Sequence, residues 1–267
     1  MEFTGLQDYT IGLIGCGKIG NAVARGYAGA DPSDRPRKII ISPRNAARAK
    51  ALKEDYSDVV EVAESNQDVV ERADVIFVGL VPEVAREVLP QMPFTERHLL
   101  VSMMAAVNYE EFTALCKREN GENCVKIVPL PSAARRSGPI LFYPPHPLLE
   151  KIVGAVGTPV PCTQEAAMKP LISVAGHISP FYELMRVTQK WIEDKGLPAH
   201  TARLYVSSFY SSLAIAAFTS PDDFGDMVEE AATPGGLNEQ STQFLRGTPH
   251  FQLHEESLQT VLDRLNK

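Results

Sequence analysis

Short apolar runs alternate with amphipathic stretches along the first 162 residues, and the alternation then stops. The runs at 11–14, 38–41, 75–78, 99–102, 125–128, 140–143 and 158–161 are brief and mostly Val, Ile and Leu, as expected of strands buried on both faces. Between them, 45–54, 83–89 and 109–117 carry apolar residues at helical spacing. Strand, helix, strand in repetition predicts a mostly parallel sheet covered on both faces, with any ligand beyond the carboxyl ends of the strands. From residue 164 onward the pattern is helical at 165–174, 180–195, 200–218, 238–246 and 254–266, and no strand-like run survives. The expected organisation is an α/β domain at 1–162 followed by an all-α domain at 163–267.

One helical stretch is unusual. Between Leu204 and Phe218 it carries no charge, and Ser207, Ser208, Ser211, Ser212, Ala214, Ala216 and Ala217 would let neighbouring helices approach closely. A helical half of about 105 residues struggles to bury such a helix alone. A subunit interface is therefore expected; the alternative is a central core helix of one chain. Tyr182 and Trp191 fall at helix-packing positions and are expected in a core.

Chemistry enters with Gly15, Gly17 and Gly20, which complete a G-x-G-x-x-G between a strand ending at Ile14 and a helix beginning near Asn21. Gly15 permits a sharp turn, Gly17 lets a pyrophosphate approach the backbone, and Gly20 lets the helix lie close on the sheet. The helix N-terminus offers free N–H groups to phosphates. The segment Gly15, Cys16, Gly17, Lys18, Ile19, Gly20 is thus the candidate dinucleotide cradle; a glycine-rich turn that binds nothing is the plainer reading. The second strand ends in Ser42-Pro43-Arg44 with no acid to hold ribose hydroxyls. Arg44 can grip a 2′-phosphate, Ser42 can donate to it, and Arg48 and Lys50 add positive charge, so NADP(H) is expected over NAD.

Composition changes little. The 267 residues are 44% hydrophobic and 22% charged, with a net charge of −7 that gives no reason to expect nucleic acid or an anionic membrane as partner. No long uncharged apolar run and no signal-peptide pattern is present. The cysteines at 16, 116, 124 and 162 form no pair or ligand cluster, and are expected as reduced thiols of a cytoplasmic protein without a metal.

Several stretches in order resemble the pyrroline-5-carboxylate reductase family, which reduces a cyclic imino acid to proline with NAD(P)H. They are the glycine motif, Ser42-Pro43-Arg44, the run from Ala73 to Pro82, Ser102-Met103-Met104-Ala105-Ala106-Val107, and Thr233-Pro234-Gly235-Gly236. The resemblance implies a Rossmann-like nucleotide domain and a helical domain that dimerises with a second copy. It adds Val81, Pro82 and Ala105 to the cofactor contacts and places a small-molecule substrate at Pro234, Gly235 and Gly236. Three stretches depart from the family pattern. Val128-Pro129-Leu130-Pro131-Ser132 replaces M-P-N-T-P, His177 and Ile178 replace small residues, and Leu237-Asn238-Glu239 follows the glycine turn where threonines are usual.

Gly235 and Gly236 could still seat a carboxylate on free N–H groups. Asn238 could orient an imine nitrogen, while Glu239 and His177 are the candidate proton donors. The bland alternatives are a first-turn acid favoured by the helix dipole for Glu239 and a backbone-satisfied histidine for His177. Arg135 and Arg136 fit a solvated surface better than a substrate contact, and His146 a rigid turn. Three functions stay open: reduction of pyrroline-5-carboxylate, hydride transfer to a related imine, ketone or deazaflavin, and a non-catalytic NADP-binding sensor or scaffold.

Overall fold

The computed structural model describes residues 5–118 and 120–266. The chain divides into two compact units, Met1–Met168 and Lys169–Lys267.

The first unit is built on one eight-stranded sheet. In chain order its elements are β1 (Thr10–Ile14), α1 (Lys18–Ala28), β2 (Lys38–Ile41), α2 (Ala46–Asp55), β3 (Val60–Val62), α3 (Asn66–Arg72), β4 (Val75–Val78) and α4 (Pro82–Val88). They continue with β5 (Leu99–Ser102), α5 (Tyr109–Leu115), β6 (Cys124–Pro129), β7 (Pro139–Tyr143), α6 (Pro147–Gly154) and β8 (Thr158–Pro161). The strand order is β3-β2-β1-β4-β5-β6-β7-β8, parallel throughout except between β6 and β7. Alternate residues of the central strands feed two cores. Ile11, Leu13, Ile39, Ile41, Val75 and Phe77 fill one face, and Ile14, Ile40, Ile76 and Val78 the other. Chain order reverses at β1, which lies between β2 and β4; in such sheets ligands bind beyond the strand ends at that point.

Helix α6 escapes the periodicity reading because its apolar positions Leu149, Ile152 and Val153 are packed into two turns. Pro147 opens it, and the His146 ring caps it by accepting the Leu149 N–H at 3.2 Å.

The second unit contains α7 (Met168–Ala175, entering from the first unit), α8 (Ile178–Asp194), α9 (Ala199–Thr219), α10 (Phe224–Ala231), α11 (Leu237–Arg246) and α12 (His250–Leu265). Burial here corrects two expectations. Tyr182 and Trp191 are 63% and 61% exposed, so neither belongs to a core of the single chain. Along α9 only Ala202 and Val206 are buried, while Leu204, Tyr205 and Phe218 stand in the open. A stretch free of charge from Leu204 to Phe218 and this exposed does not fit the core-helix alternative for one chain.

A buried histidine gives the first unit a pH dependence. His98, just before β5, is 1% exposed, and its Nδ1 accepts the Thr95 N–H at 2.9 Å. Burial pushes its pKa from the ordinary 6.5 down to about 4, with the charges of Arg97 and Arg118 pressing the same way. The unfolded chain therefore takes up this proton first. Stability from His98 is full above pH 6.5 and is lost as the pH falls towards 4. Melting curves between about pH 7 and pH 4.5 should show a smaller drop in His98→Asn, which keeps an acceptor for Thr95, than in the parent. Equal drops would remove His98 as the cause.

Candidate active site

The turn from β1 into α1 is shaped by three glycines with three separate duties. Gly15 has a φ of +91°, and a Cβ there would lie 2.4 Å from the Gly79 carbonyl oxygen. A Cβ on Gly20 would lie 2.7 Å from the Gly15 carbonyl oxygen. Gly17 is different, because a Cβ there would meet nothing within 4 Å. Two glycines thus serve the fold and the middle one borders open space. Helical bonding in α1 starts with the Asn21 N–H to the Gly17 oxygen, which leaves the preceding N–H groups of Lys18, Ile19 and Gly20 facing out at the positive end of the helix dipole. A pyrophosphate fits this opening. The Cys16 thiol is buried beside Asn21, and burial pushes its pKa up, so it is no nucleophile.

Gly79 belongs to the same construction. It follows β4, donates its N–H to the Ile14 oxygen at 2.8 Å, and lies so close that Gly15 has no room for a side chain, while a Cβ on Gly79 would stand 3.2 Å from the Gly15 oxygen. Its place directly after an apolar run was the signal in the sequence.

At the end of β2 the two candidate phosphate ligands separate. Ser42 is buried, and its Oγ accepts the Gly15 N–H at 3.0 Å. It ties β2 to the glycine turn and has only its hydroxyl proton left to offer. Arg44 is exposed and, among the described residues, has no hydrogen-bond or ion-pair partner. Arg48, in the first turn of α2, is exposed, and its charge favours the thiolate of Cys16 in the glycine turn. Lys50 pairs with Glu54 at 3.7 Å instead. The third edge is formed after β4 and β5. Val81 is 60% exposed, Pro82 starts α4, and Ala105 lies exposed in the loop after β5.

In the second unit, the Thr233–Gly236 turn precedes α11. Gly235 has a φ of +73°, and Gly236 donates to the Thr233 oxygen at 2.8 Å. Glu239 reaches back and accepts the Gly235 N–H at 2.7 Å, while the Asn238 amide donates to the Ala231 oxygen at 3.1 Å. Both side chains expected to meet a substrate are thus engaged with their own turn, and Pro234 is exposed beside them. His177 packs edge-to-face on His254, ring centroids 4.6 Å apart, with its Nε2 buried and unpartnered. Arg135 and Arg136 are exposed and line an open cavity with Gly5, Ser33 and Asp34. Among the described residues no group of His, Cys, Asp or Glu could hold a metal ion, and no helix is long and apolar enough to cross a membrane.

Residues 10–106 match the family described as NADP oxidoreductase, coenzyme F420-dependent. Several curated pyrroline-5-carboxylate reductases are similar to the chain. The chain is 28% identical over 117 residues to one from Dictyostelium discoideum and 31% over 132 residues to one from Glycine max. These matches span 43% and 48% of the chain but only 20% and 45% of the relatives' own lengths. The Escherichia coli (strain K12) enzyme matches at 23% over 251 residues, covering 90% of both proteins. The solved pyrroline-5-carboxylate reductase from Coxiella burnetii superposes with a TM-score of 0.82 at 19% identity, covering 96% of this chain and 97% of that one. A reductive aminase from Aspergillus terreus shares the fold more loosely, with a TM-score of 0.52 at 13% identity over 85% of this chain and 78% of that one.

Proposed function

We propose that the chain is a divergent member of the pyrroline-5-carboxylate reductase family and, on that premise, an NADPH-dependent reductase of a small cyclic imine. The observation that carries the cofactor half is the open space at Gly17 in front of three free N–H groups, with the unpaired Arg44 beyond it. Bound NADPH would supply the hydride. The chain's own residues then have to hold the nicotinamide about 3–3.5 Å from the imine carbon and keep the ring oriented. In the parent reading the substrate is pyrroline-5-carboxylate, its carboxylate received at Gly235 and Gly236, and the product is proline.

One observation favours a second reading, a related imine without that carboxylate. The Gly235 N–H is already taken by the Glu239 carboxylate, so an incoming anion must displace an equal charge from the same donor. Glu239, held as an acceptor, is also poorly placed to give a proton. Asn238, with one amide N–H given to the Ala231 oxygen, orients rather than protonates.

NADPH consumption with 1-pyrroline-5-carboxylate and with 1-pyrroline, the same ring lacking the carboxylate, tests both readings. Turnover of neither, with NADPH bound, would contradict both readings. Replacing Glu239 by Thr should shift the kcat/KM ratio towards the carboxylate-bearing ring by about tenfold or more, the worth of one charge-assisted hydrogen bond. An unchanged ratio would clear Glu239 of any part in substrate choice. The exposed apolar residues of α9, together with Phe224, Leu237 and Phe244, further support a homodimer through the helical unit. Light scattering should give twice the mass of one chain, and a monomer at all concentrations would refute it.

A further inference from the structure

Lys126 is a cation inside a sheet. It sits on β6 in register with Ser102 of β5 and Tyr143 of β7, and is 7% exposed. An ammonium in such a place is costly unless it is paired and hydrogen-bonded. Its Nζ donates to the Val107 carbonyl at 2.9 Å and to the Glu165 carboxylate at 2.8 Å. The same carboxylate accepts the Tyr109 N–H at 3.0 Å, placing an acid at the N-terminus of α5. One buried charge thus holds both the end of the loop after β5 and, through Glu165, the start of the helix that follows.

The rest of that loop is fastened at its other end. The Met103 N–H reaches the Val78 oxygen at 2.8 Å, and the Met104 N–H reaches Ser102 Oγ at 3.3 Å. Between the two fastenings Ala105 and Ala106 are exposed. The order β2-β1-β4-β5 fixes which part of a dinucleotide they would meet. With the 2′-phosphate at Arg44 beyond β2 and the pyrophosphate at α1, the nicotinamide half extends over the ends of β4 and β5.

We propose that Lys126 is a positioning residue for hydride transfer: through the Val107 carbonyl and Glu165 it fixes the Ala105–Ala106 turn against the nicotinamide ring and sets the geometry of transfer rather than the affinity for the cofactor. This rests on the NADPH-reductase reading above.

The test uses the full chain with Lys126→Met, Lys126→Arg and Glu165→Gln. In Lys126→Met, NADPH affinity should stay at the parent value, because the glycine turn and Arg44 are untouched. Its kcat should fall about 10- to 100-fold, as expected when reacting atoms lose their alignment by an ångström or less. Lys126→Arg should recover most of the rate, and Glu165→Gln should lie between. The emission of bound NADPH, which rises when the nicotinamide is held rigidly, should drop in Lys126→Met and return in Lys126→Arg.

A parent chain that turns over no imine defeats the reductase reading, and the emission then decides the positioning role by itself. If Lys126→Met melts too low to assay, Glu165→Gln and Lys126→Arg carry the comparison. Parent-like kcat and emission in Glu165→Gln and Lys126→Met, or a loss of kcat matched by an equal loss of NADPH affinity, would overturn the proposal.

Discussion

Replacing Gly17 by valine should abolish NADPH binding and leave the chain folded and as heat-stable as the parent. The two halves of that result have different causes. The backbone at Gly17 has a φ of −72°, which any residue adopts, and no atom lies within 4 Å of the position a Cβ would take. A side chain there costs the fold little. It stands, however, in the opening in front of the N–H groups of α1, where a pyrophosphate must come within hydrogen-bond reach. Loss of two or more charge-assisted bonds, at about 1.5–3 kcal/mol each, lowers affinity by about a hundredfold or more. Gly15 and Gly20 make the contrast, since an alanine at either meets a backbone oxygen at 2.4 or 2.7 Å and should destabilise the protein whether or not cofactor is present. NADPH titration beside a melting curve checks all three. Wild-type affinity in Gly17→Val would mean that the cradle is not where the cofactor binds.

The second large effect concerns the choice between cofactors. Arg44→Ala should weaken NADPH about 10- to 100-fold and leave NADH unchanged, the signature of a lost charge-assisted contact to the 2′-phosphate. Because Arg44 is exposed and unpaired among the described residues, its removal breaks nothing inside the protein and stability should stay within about 0.5 kcal/mol. Ser42→Ala should behave in the opposite way. Its hydroxyl is buried under the Gly15 N–H, so the substitution leaves a buried donor without a partner, loosens the turn, and weakens both nucleotides together. Equal weakening of NADPH and NADH by Arg44→Ala would remove Arg44 from the phosphate.

What could be read before the fold was known follows from how local each signal is. The strands at 38–41, 75–78 and 99–102 each carry at least three apolar residues in a row, and the glycines of the first turn have roles set by backbone sterics within a few residues. Strand β3 has only three residues, with Glu61 in the middle, and gives no periodicity to detect. Helix α10 lies directly after Ser220-Pro221-Asp222-Asp223, which marks the end of α9; that Asp223 also caps a new helix, accepting the Asp226 N–H, is not visible in the same four residues.

Hydrogen-bond partners distant in sequence were beyond reach altogether. Ser42 meets Gly15, and Lys126 meets Glu165, only because the sheet brings them together. Tyr182 and Trp191 mark a further boundary. An apolar helix face announces that it will be covered but not whether by its own chain or by another. The departures after Gly236 were visible as residue types. The closing of Glu239 onto Gly235 is a choice of rotamer, and it bears on which imine the site accepts.

Hydride transfer to a carbon doubly bonded to nitrogen is the central step of the proposed function. The direct measurement incubates the protein with NADPH carrying deuterium at both nicotinamide C4 positions and a cyclic imine, 1-pyrroline-5-carboxylate in one arm and 1-pyrroline in the other, and follows the label by mass spectrometry. The predicted result is one deuterium at the former imine carbon of the amine product, with an equal amount of NADP formed. Stoichiometric NADPH binding with no deuterium in any amine product would contradict it.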